Sequence, residues 1–416
     1  MAERMLLRNA RVLTCTGDPN ETPFDGDVLI EGDRIAAVQR GRLDVDASAV
    51  RVTDVRGAAL LPALADCHVH TSWPLDFVFD HDAEAAAPPA EHALDLAAVA
   101  RTFVESGYTL VIGAGVLQPR DDLLLEDAID RGLLPGPRIV PSGLMIADAR
   151  GLGGEGGLME VAADAAQLRE IVRRQCDAGV KALKLFISGD GVVPQYPSED
   201  VYMDDEMLTA AVEEADRHGA FLTVHARSAP SVAMAARTGV RLVHHACFLD
   251  DDAIDALVQR GDDVWVCPGL HYLYAVVNGH AEPWGITPEQ VEASGYPREL
   301  EAQVEGLHRL GAAGVAIVAG GDFGHQWTRH GTYAAELQRY VELVDMTPTQ
   351  AILTATRNVG PLVGMDWGVV RPGALADLLL VDGDPSADIT VLQVPERRRA
   401  VIKGGDFAYV DPAFLR

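Results

Sequence analysis

Long hydrophobic runs are missing from this chain of 416 residues. No apolar stretch approaches the ~20 residues that a membrane-spanning helix requires. The first residues, MAERMLLRNARVL, carry charge early and contain neither the apolar core nor the cleavage site of a secretory signal. These absences exclude a membrane-spanning protein and predict a cytoplasmic location.

Cysteine is scarce and shows no paired spacing. The chain has five cysteines, which are Cys15, Cys67, Cys176, Cys247 and Cys267. An odd number without a CxxC excludes a disulfide scaffold and a structural zinc knot. Cys67 directly precedes His68, and because successive side chains of a strand alternate, we expect it to point away from that histidine into the core.

Positive charge is also scarce. Lys and Arg total 34 against 62 Asp and Glu, which gives a formal net charge of −28. Such a surface repels nucleic acids and anionic membranes, so neither is expected as a partner. With 48% apolar and 23% charged residues the composition is that of a globular protein, and we expect a small-molecule substrate.

The two ends of the chain have the same sequence pattern of short strands and turns. Residues 1–60 read as short alternating strands separated by turns, and the segments ADLLLVDGDP and RRAVIKGGDFAYV repeat this pattern after residue 368. We therefore predict that residues 1–60 and 368–416 together build one small β-sandwich satellite domain. The chain is long enough for a barrel and such a satellite.

Between these ends, apolar strands alternate with amphipathic helices. Eight strands are expected in ALLPALADC, YTLVIGAG, PRIVPSG, VKALKLFIS, AFLTVHA, VRLVHHA, DVWVCPG and GVAIVAGG. Helical patterns such as EMLTAAVEEADRHG and DDAIDALVQRG lie between them, and Thr347, Pro348 and Gln350 form a capping signature. The pattern predicts an α/β fold with a (β/α)8 TIM barrel over residues 61–367. An open doubly wound sheet is the alternative, but it would not predict polar residues at so many strand ends.

The first polar strand end is HVH. His68 and His70 lie two residues apart on an extended chain, so both point to the same face and can bind one ion. An HxH alone is weak evidence. Here it follows an apolar strand and precedes an irregular loop, at the end of the strand where barrel enzymes place their active sites.

Lys184 lies inside the apolar run VKALKLFIS, which we expect to be buried. Burial disfavours the ammonium form of lysine. A neutral amine can take up CO2, and the resulting carbamate is an anion able to bridge two metal ions. For Lys181 in the same run, an edge or snorkelling position is expected.

Later strand ends complete the pattern. His225 ends the fifth strand and His245 the sixth. His244 and His245 cannot both face inward on one regular strand, so we assign the inward position to His245 and a supporting or packing role to His244. Asp322 follows the eighth strand among glycines that allow close backbone approach. Each residue alone is weak evidence, but the ordered set is a strong signal.

With this set in place, the sequence resembles the amidohydrolase superfamily, and within it the imidazolonepropionase-like and Xaa-Pro dipeptidase-like group. The resemblance runs nearly end to end, through LLPALADCHVH, GLLPGPRIVPSG, AGVKALKLFISGDG, FLTVHARS, LVHHACF, AGGDFGH and RPGALADLLLVDGDP. It implies a site for two divalent metal ions, with Zn2+ the expected metal. The implied ligands are His68, His70, Lys184, His225, His245 and Asp322.

The resemblance also implies individual roles. His68 and His70 would bind the more buried ion, and Lys184, carrying a carbamate derived from CO2, would bridge both ions. His225 and His245 would bind the second ion. Imidazolonepropionase typically works with one metal and without the bridging lysine, so Lys184 favours the dipeptidase-like side. We also expect a homo-oligomer.

The predicted reaction is hydrolysis of an amide bond in a dipeptide, an N-acyl amino acid or a cyclic amide. A metal-bridging hydroxide would attack the carbonyl, and Asp322 would pass its proton to the leaving amine. Hydrolysis of a lactone, ester or phosphoester at the same centre is the alternative. A deaminase is disfavoured because that branch usually lacks the bridging lysine, and a catalytically silent scaffold is disfavoured by the intact ligand set.

Substrate contacts are expected at the mouth of the barrel. Arg227, two residues past His225, is a candidate for pairing a substrate carboxylate, with a surface ion pair as the alternative. His271 and Tyr272 follow the seventh strand in CPGLHYLY and should reach the mouth. His325 follows Asp322 and is expected in a wall or lid.

Overall fold

The computed structural model describes residues 4–46, 48–77, 87–154, 159–191, 193 and 195–414. Its strands are β1 (Arg4–Val12), β2 (Phe24–Glu31), β3 (Arg34–Arg40), β4 (Arg51–Asp54), β5 (Ala59–Pro62), β6 (Leu64–Val69), β7 (Tyr108–Gly113), β8 (Arg138–Val140), β9 (Met145–Asp148), β10 (Met159–Ala162), β11 (Ala182–Phe186), β12 (Phe221–Ala226), β13 (Leu242–His245), β14 (Trp265–Cys267), β15 (Ala316–Ile317), β16 (Leu378–Val381), β17 (Arg398–Lys403) and β18 (Asp406–Val410).

The α-helices are α1 (Pro89–Glu105), α2 (Asp121–Asp130), α3 (Ala165–Ala178), α4 (Asp205–Arg217), α5 (Ala229–Thr238), α6 (Asp251–Arg260), α7 (Leu270–Val277), α8 (Pro288–Ser294), α9 (Tyr296–Ala313), α10 (Ala335–Leu343), α11 (Pro348–Thr354) and α12 (Val359–Val363). Short 3-10 helices cover Gly261–Asp263, Glu282–Trp284, Ile389–Gln393 and Pro395–Arg397. In the part of the chain that the structure describes, no helix is both long and apolar enough to cross a membrane.

The middle of the chain forms parallel sheets. One has the order β6-β7-β8, and the other has the order β10-β9-β11-β12-β13-β14-β15. Each of the eight strands expected from the sequence is present, as β6, β7, β8, β11, β12, β13, β14 and β15. Because neighbouring strands run parallel, their carboxyl ends meet at one edge, as in the pairing of Phe186 with His225. The predicted α/β class with parallel strands is confirmed.

Backbone hydrogen bonds also join the two parallel sheets. Cys67 N donates to Ala319 O at 2.8 Å, and His70 N donates to Phe323 O at 2.9 Å, so β6 lies beside the segment that follows β15. On the other side, Ala182 N donates to Pro141 O at 3.0 Å, which connects β11 to the segment after β8. The first and the eighth strands therefore deliver their polar residues to the same place.

Several helices of this region begin at residues whose side chains cap them. Asp204 accepts a hydrogen bond from Met207 N at the start of α4, and Asp250 accepts one from Ala253 N at the start of α6. Thr347 forms the expected capping box at α11. Each cap satisfies backbone N–H groups left over by helix geometry and stabilises its helix by about 1 kcal/mol.

A mixed eight-stranded sheet contains strands from both ends of the chain. Its order is β18-β17-β16-β5-β1-β2-β3, with β4 paired to β1. The central strand β5 pairs with β16 from the C-terminal part and with β1 from the N-terminal part. A separate apolar cluster that includes Leu7, Val28 and Leu378 packs on this sheet.

Candidate metal centre

His68, His70 and Asp322 meet at one point. One oxygen of Asp322, Oδ1, lies 3.1 Å from Nε2 of His70 and 3.3 Å from Nε2 of His68. All three residues are buried. The two histidines therefore face the same side of their strand, as the HVH spacing predicts, and the carboxylate of Asp322, from the segment after β15, lies between them.

Glycines make this close approach possible. A Cβ atom on Gly320 would lie 2.5 Å from His68 N and 2.6 Å from Cys267 Sγ, which is closer than real Cβ contacts come. Asp322 itself has a φ of 57°, in the left-handed region that costs an L residue energy. Thr328 Oγ1 donates to the backbone oxygen of Asp322 at 2.7 Å and helps to hold this turn.

Lys184 joins the same cluster. Its Nζ lies 3.3 Å from Nε2 of His68, and the residue is 1% exposed. Burial lowers the pKa of Lys184 to about 7, against an opposing effect of the Asp322 carboxylate. Lys181, by contrast, is exposed and pairs with Glu126 at 2.7 Å. The sequence distinguished the two lysines correctly.

His225 lies beside Lys184 on the neighbouring strand, with its ring stacked on Phe186 at a centroid distance of 4.7 Å. Its Nε2 is 3.0 Å from Gly189 O and 3.2 Å from Nε of Arg227. A ring nitrogen cannot donate to the carbonyl and accept from arginine at once. Only the tautomer that donates from Nε2 to Gly189 O leaves the Nδ1 lone pair for a metal ion.

The expectation that His244 and His245 cannot both face inward is wrong, although His245 does face inward as expected. The ring of His244 lies 4.0 Å from the ring of His68, and the ring of His245 lies 5.0 Å from it. Both histidines therefore lie inside. Strand alternation ends at this point because His245 and Ala246 have φ values of 72° and 49°, in the left-handed region. His245 also contacts His225, with 4.4 Å between ring centroids.

Burial sets the protonation of these groups. It lowers the pKa of His68, His70 and His245 and takes that of His225 to about 3, so these imidazoles are neutral and keep a lone pair. Burial alone would raise the pKa of Asp322, but the surrounding histidines outweigh it and hold that pKa well below the usual range. The site thus combines neutral imidazoles with an ionised carboxylate.

This donor set fits a divalent metal ion. The ligand atoms of His68, His70 and Asp322 lie within 4.8 Å of one another. Neutral imidazole and carboxylate are the donors that Zn2+ prefers, and His70 gains an orienting contact from its other nitrogen, Nδ1, to Gly115 O at 3.4 Å. A second pair, His225 and His245, whose ring centroids lie 4.4 Å apart, adds two further neutral imidazoles.

Arg227 is buried rather than at the surface, so the surface ion pair considered for it is wrong. It is 1% exposed and pairs with Asp190 at 2.8 Å and with Glu299 at a shorter distance. The guanidinium carbon of Arg227 also lies 5.6 Å from the centroid of the Tyr296 ring. These partners already occupy both terminal nitrogens of the guanidinium, and its role toward a substrate carboxylate stays a prediction.

The other residues expected at the mouth divide into two groups. His325 and Tyr272 lie close to the centre, since Nε2 of His325 is 3.7 Å from Asp322 Oδ1 and the Tyr272 ring is 5.0 Å from the His325 ring. The ring of His271 contacts Tyr274, His280 and Phe323 instead. The structure therefore brings His325 and Tyr272, but not the His271 ring, to the metal ligands.

Sequence reasoning missed several buried partners. Asp190 lies four residues after the end of β11, the strand that contains Lys184. A polar residue just after a strand end is a signal that could have identified Asp190. Glu299 and Tyr296 lie on α9, where a helical pattern gives no sign that they reach Arg227. Cys267 ends β14, and its sequence position gave no sign that its side chain lies near His68 and His244.

Comparisons with known proteins agree with this centre. Residues 59–408 match the amidohydrolase family, which covers most of the chain. The chain belongs to the amidohydrolase family and is a hydrolase of that family. The predicted resemblance is thereby confirmed.

The chain is similar to several named proteins and solved structures. An ochratoxinase from Aspergillus niger is 26% identical over 419 residues, covering 92% of this chain and 83% of that protein. An imidazolonepropionase from Cutibacterium acnes is 26% identical, with 85% of this chain and 82% of that protein covered. The solved structure of a prolidase complexed with N-methylphosphonate-L-proline is 25% identical, has a TM-score of 0.85, and is covered over 98% of this chain and 100% of that chain.

Proposed function

We propose that the chain is a binuclear metal-dependent hydrolase that cleaves an amide bond of a small molecule. The observation that carries the proposal is the meeting of His68, His70, Lys184 and Asp322 within 3.3 Å contacts in one buried site. These residues come from strands far apart in the sequence. Structural packing alone gives no reason to bury a lysine, a carboxylate and several imidazoles together.

Six residues would hold the two ions. His68, His70 and Asp322 would hold the first, and His225 and His245 the second, with Lys184 between them. Divalent ions there, Zn2+ being the expected metal, would make water nucleophilic near neutral pH and polarise the substrate carbonyl.

Lys184 would act as the bridge after modification. Because its pKa lies at about 7, a large fraction of the amine is neutral at physiological pH. The nitrogen lone pair attacks CO2, a C–N bond forms, and one proton leaves the nitrogen for solvent. The product is a carbamate anion, whose two oxygens can each face one ion.

Asp322 would move the proton. Its carboxylate is ionised, and its Oδ1 already faces two ligand histidines. It would accept the proton of the attacking water and return it to the leaving amine, which must be protonated before it departs.

The substrate is an amide in this proposal, such as a dipeptide, an N-acyl amino acid or a cyclic amide. Support comes from the names of similar proteins, since a prolidase and an imidazolonepropionase are among them. The rings of Tyr272 and His325, buried beside Asp322, would form an aromatic wall on one side of such a molecule.

We also propose the finer architecture and setting. The two parallel sheets would close into one (β/α)8 barrel over residues 61–367, and residues 1–60 with 368–416 would form a β-sandwich satellite. A cytoplasmic homo-oligomer that acts on a small molecule completes the proposal.

A substrate screen tests this function. Purified protein supplied with Zn2+ and bicarbonate is assayed against libraries of dipeptides, N-acyl amino acids, cyclic amides and lactones. We expect turnover among the amides. Turnover confined to lactones or esters would contradict the proposal that the protein cleaves an amide bond. Turnover of no compound in any library would contradict the proposal that the protein is an enzyme.

Asp322→Asn tests the mechanism. We expect the variant to bind metal but to lose about 10²–10⁴-fold in kcat, the usual contribution of a positioned proton-transfer group. Asp262→Asn, at an exposed position, serves as the control. Full activity of Asp322→Asn would overturn the assigned role.

A further inference from the structure

His244 lies in the core with no hydrogen bond. It is 0% exposed, and within the described residues neither of its ring nitrogens has a partner. A buried polar group without a partner costs about 1–3 kcal/mol. Native structures rarely keep such a group without a reason, and an ion is one such reason.

Two further ligands surround this ring. His68 lies 4.0 Å away between ring centroids, and Cys267 comes from the adjoining strand β14, where His244 pairs with it. One ligand atom from each of His68, His244 and Cys267 lies within 4.8 Å of the others. The Nδ1 atom of His68 also has no partner among the described residues. Three strands thus deliver two imidazoles and a thiol to one buried point.

The chemistry of this set differs from that of the catalytic ligands. The catalytic set contains nitrogen and oxygen donors, whereas Cys267 adds sulfur, which selects soft ions such as Cd2+ and Cu+ and also binds Zn2+. Tetrahedral Zn2+ ligands lie about 3.3–3.8 Å apart. The side chains would therefore need to approach each other by at most about 1.5 Å, which rotation about χ angles provides.

Burial raises the pKa of the Cys267 thiol, so without a metal ion this residue is protonated. Binding would release the thiol proton to solvent and form a metal–sulfur bond. The neutral imidazole of His68 has one lone pair, so it serves one ion at a time.

We propose that His68, His244 and Cys267 form an inhibitory site for a thiophilic metal ion beneath the catalytic centre. An ion bound there takes His68 away from His70 and Asp322. Binding itself is independent of the proposed function, but the inhibition rests on it, because only an active binuclear centre can be inhibited.

A thiolate absorption band tests the binding. Metal-free protein is titrated with Cd2+ or Co2+, and the ultraviolet thiolate-to-metal charge-transfer band is recorded, which the sulfur-free catalytic ligands cannot produce. We expect the band in the unmodified protein and in Cys176→Ser and Cys67→Ser, and its loss in Cys267→Ser. Absence of the band, or its persistence in Cys267→Ser, would overturn the site.

Loss of ligands should also weaken binding. Cys267→Ala and His244→Asn are each expected to weaken Cd2+ binding by at least about 10–100-fold, the loss that follows even from changing a supporting residue of a metal site. These two variants keep the test decisive where Cys267→Ser does not fold. Unchanged Cd2+ affinity in both would contradict the proposal.

The inhibitory effect is measured separately. We expect Cd2+ to inhibit amide hydrolysis by the unmodified protein as the thiolate band grows, and Cys267→Ser to resist this inhibition. A growing band with unchanged turnover would refute the inhibition. A band in a protein that hydrolyses no amide would contradict the proposed function but leave the metal site standing.

Discussion

The ends of β6 and β13 carry histidines in different ways. Along β6, His68 and His70 lie two residues apart and both approach Oδ1 of Asp322. Along β13, His244 and His245 are adjacent, and yet both rings lie within 5.0 Å of the His68 ring. The first arrangement follows from an extended strand. The second requires the left-handed backbone at His245.

The difference shows where a pattern of period two stops being reliable. Alternation holds only while the backbone stays extended. A non-glycine residue in the left-handed region costs about 1–2 kcal/mol, so the surrounding structure must impose it. At β13 this strain coincides with a predicted metal ligand, and strained residues are concentrated at functional sites.

Paired substitutions at β13 separate the two adjacent histidines. We expect His245→Asn to lower kcat/KM by more than about 100-fold and to lose metal, because it removes a ligand of the second ion. His244→Asn should cost no more than about tenfold, because His244 is not among the six residues assigned to the two catalytic ions. Steady-state kinetics and metal analysis of both variants give the measurement. Equal losses of activity and metal in the two variants would contradict the assignment of His245, and not His244, as the metal ligand.

Removal of the metal tests what holds the two strand ends together. A ligand present at 100 times its Kd stabilises the native state by about 2.7 kcal/mol. We therefore expect chelation to lower the free energy of unfolding by at least a similar amount, and readdition of Zn2+ with bicarbonate to restore it. Denaturant unfolding in both states provides the comparison. Identical unfolding curves would mean that no ion is bound by the native site.

Exchanges between glycine and alanine at the ends of β6 and β13 should change the stability of the protein by smaller amounts. We expect Gly320→Ala, whose Cβ would meet His68 N, to destabilise the protein by about 1–3 kcal/mol. Ala246→Gly at the β13 end should change stability by about 0.5 kcal/mol or less, because relief of about 1 kcal/mol of left-handed strain is offset by about 0.8 kcal/mol from the lost buried methyl group.

Gly311→Ala provides the control for these exchanges. Its Cβ would meet nothing within 4 Å on helix α9, so a gain of about 0.5–1 kcal/mol is expected there. Thermal or denaturant unfolding measures all three variants. An unchanged free energy of unfolding in Gly320→Ala would contradict the expected clash between the added Cβ and His68 N.

The sequence predicted much of the fold because the strands and helices here follow local rules. Apolar runs became β6, β7, β8 and β11 to β15 where expected, whereas β9 and β10 were not predicted, and Thr347 caps its helix as the pattern indicates. The burial of Lys184 followed from the apolar residues around it. These features depend on neighbours along the chain, which a sequence shows directly.

The features that the sequence did not predict depend on distant contacts or backbone strain. Arg227 is enclosed by Glu299, 72 positions away, and no local pattern connects the two. The inward position of His244 as well as His245 depends on a left-handed φ at His245, and no glycine in the sequence indicates that φ. The neighbourhood of His244 and Cys267 follows from the pairing of β13 with β14, which only the assembled sheet determines.

Metal content tests the central claim most directly. The protein is purified without chelator, supplied with Zn2+ and bicarbonate, desalted, and analysed by mass spectrometry for bound metal per chain. We predict about two equivalents, falling to about one or fewer in Lys184→Met, which cannot form the bridging carbamate. A protein that binds no metal under these conditions, or a Lys184→Met variant that retains the full amount, would contradict that claim.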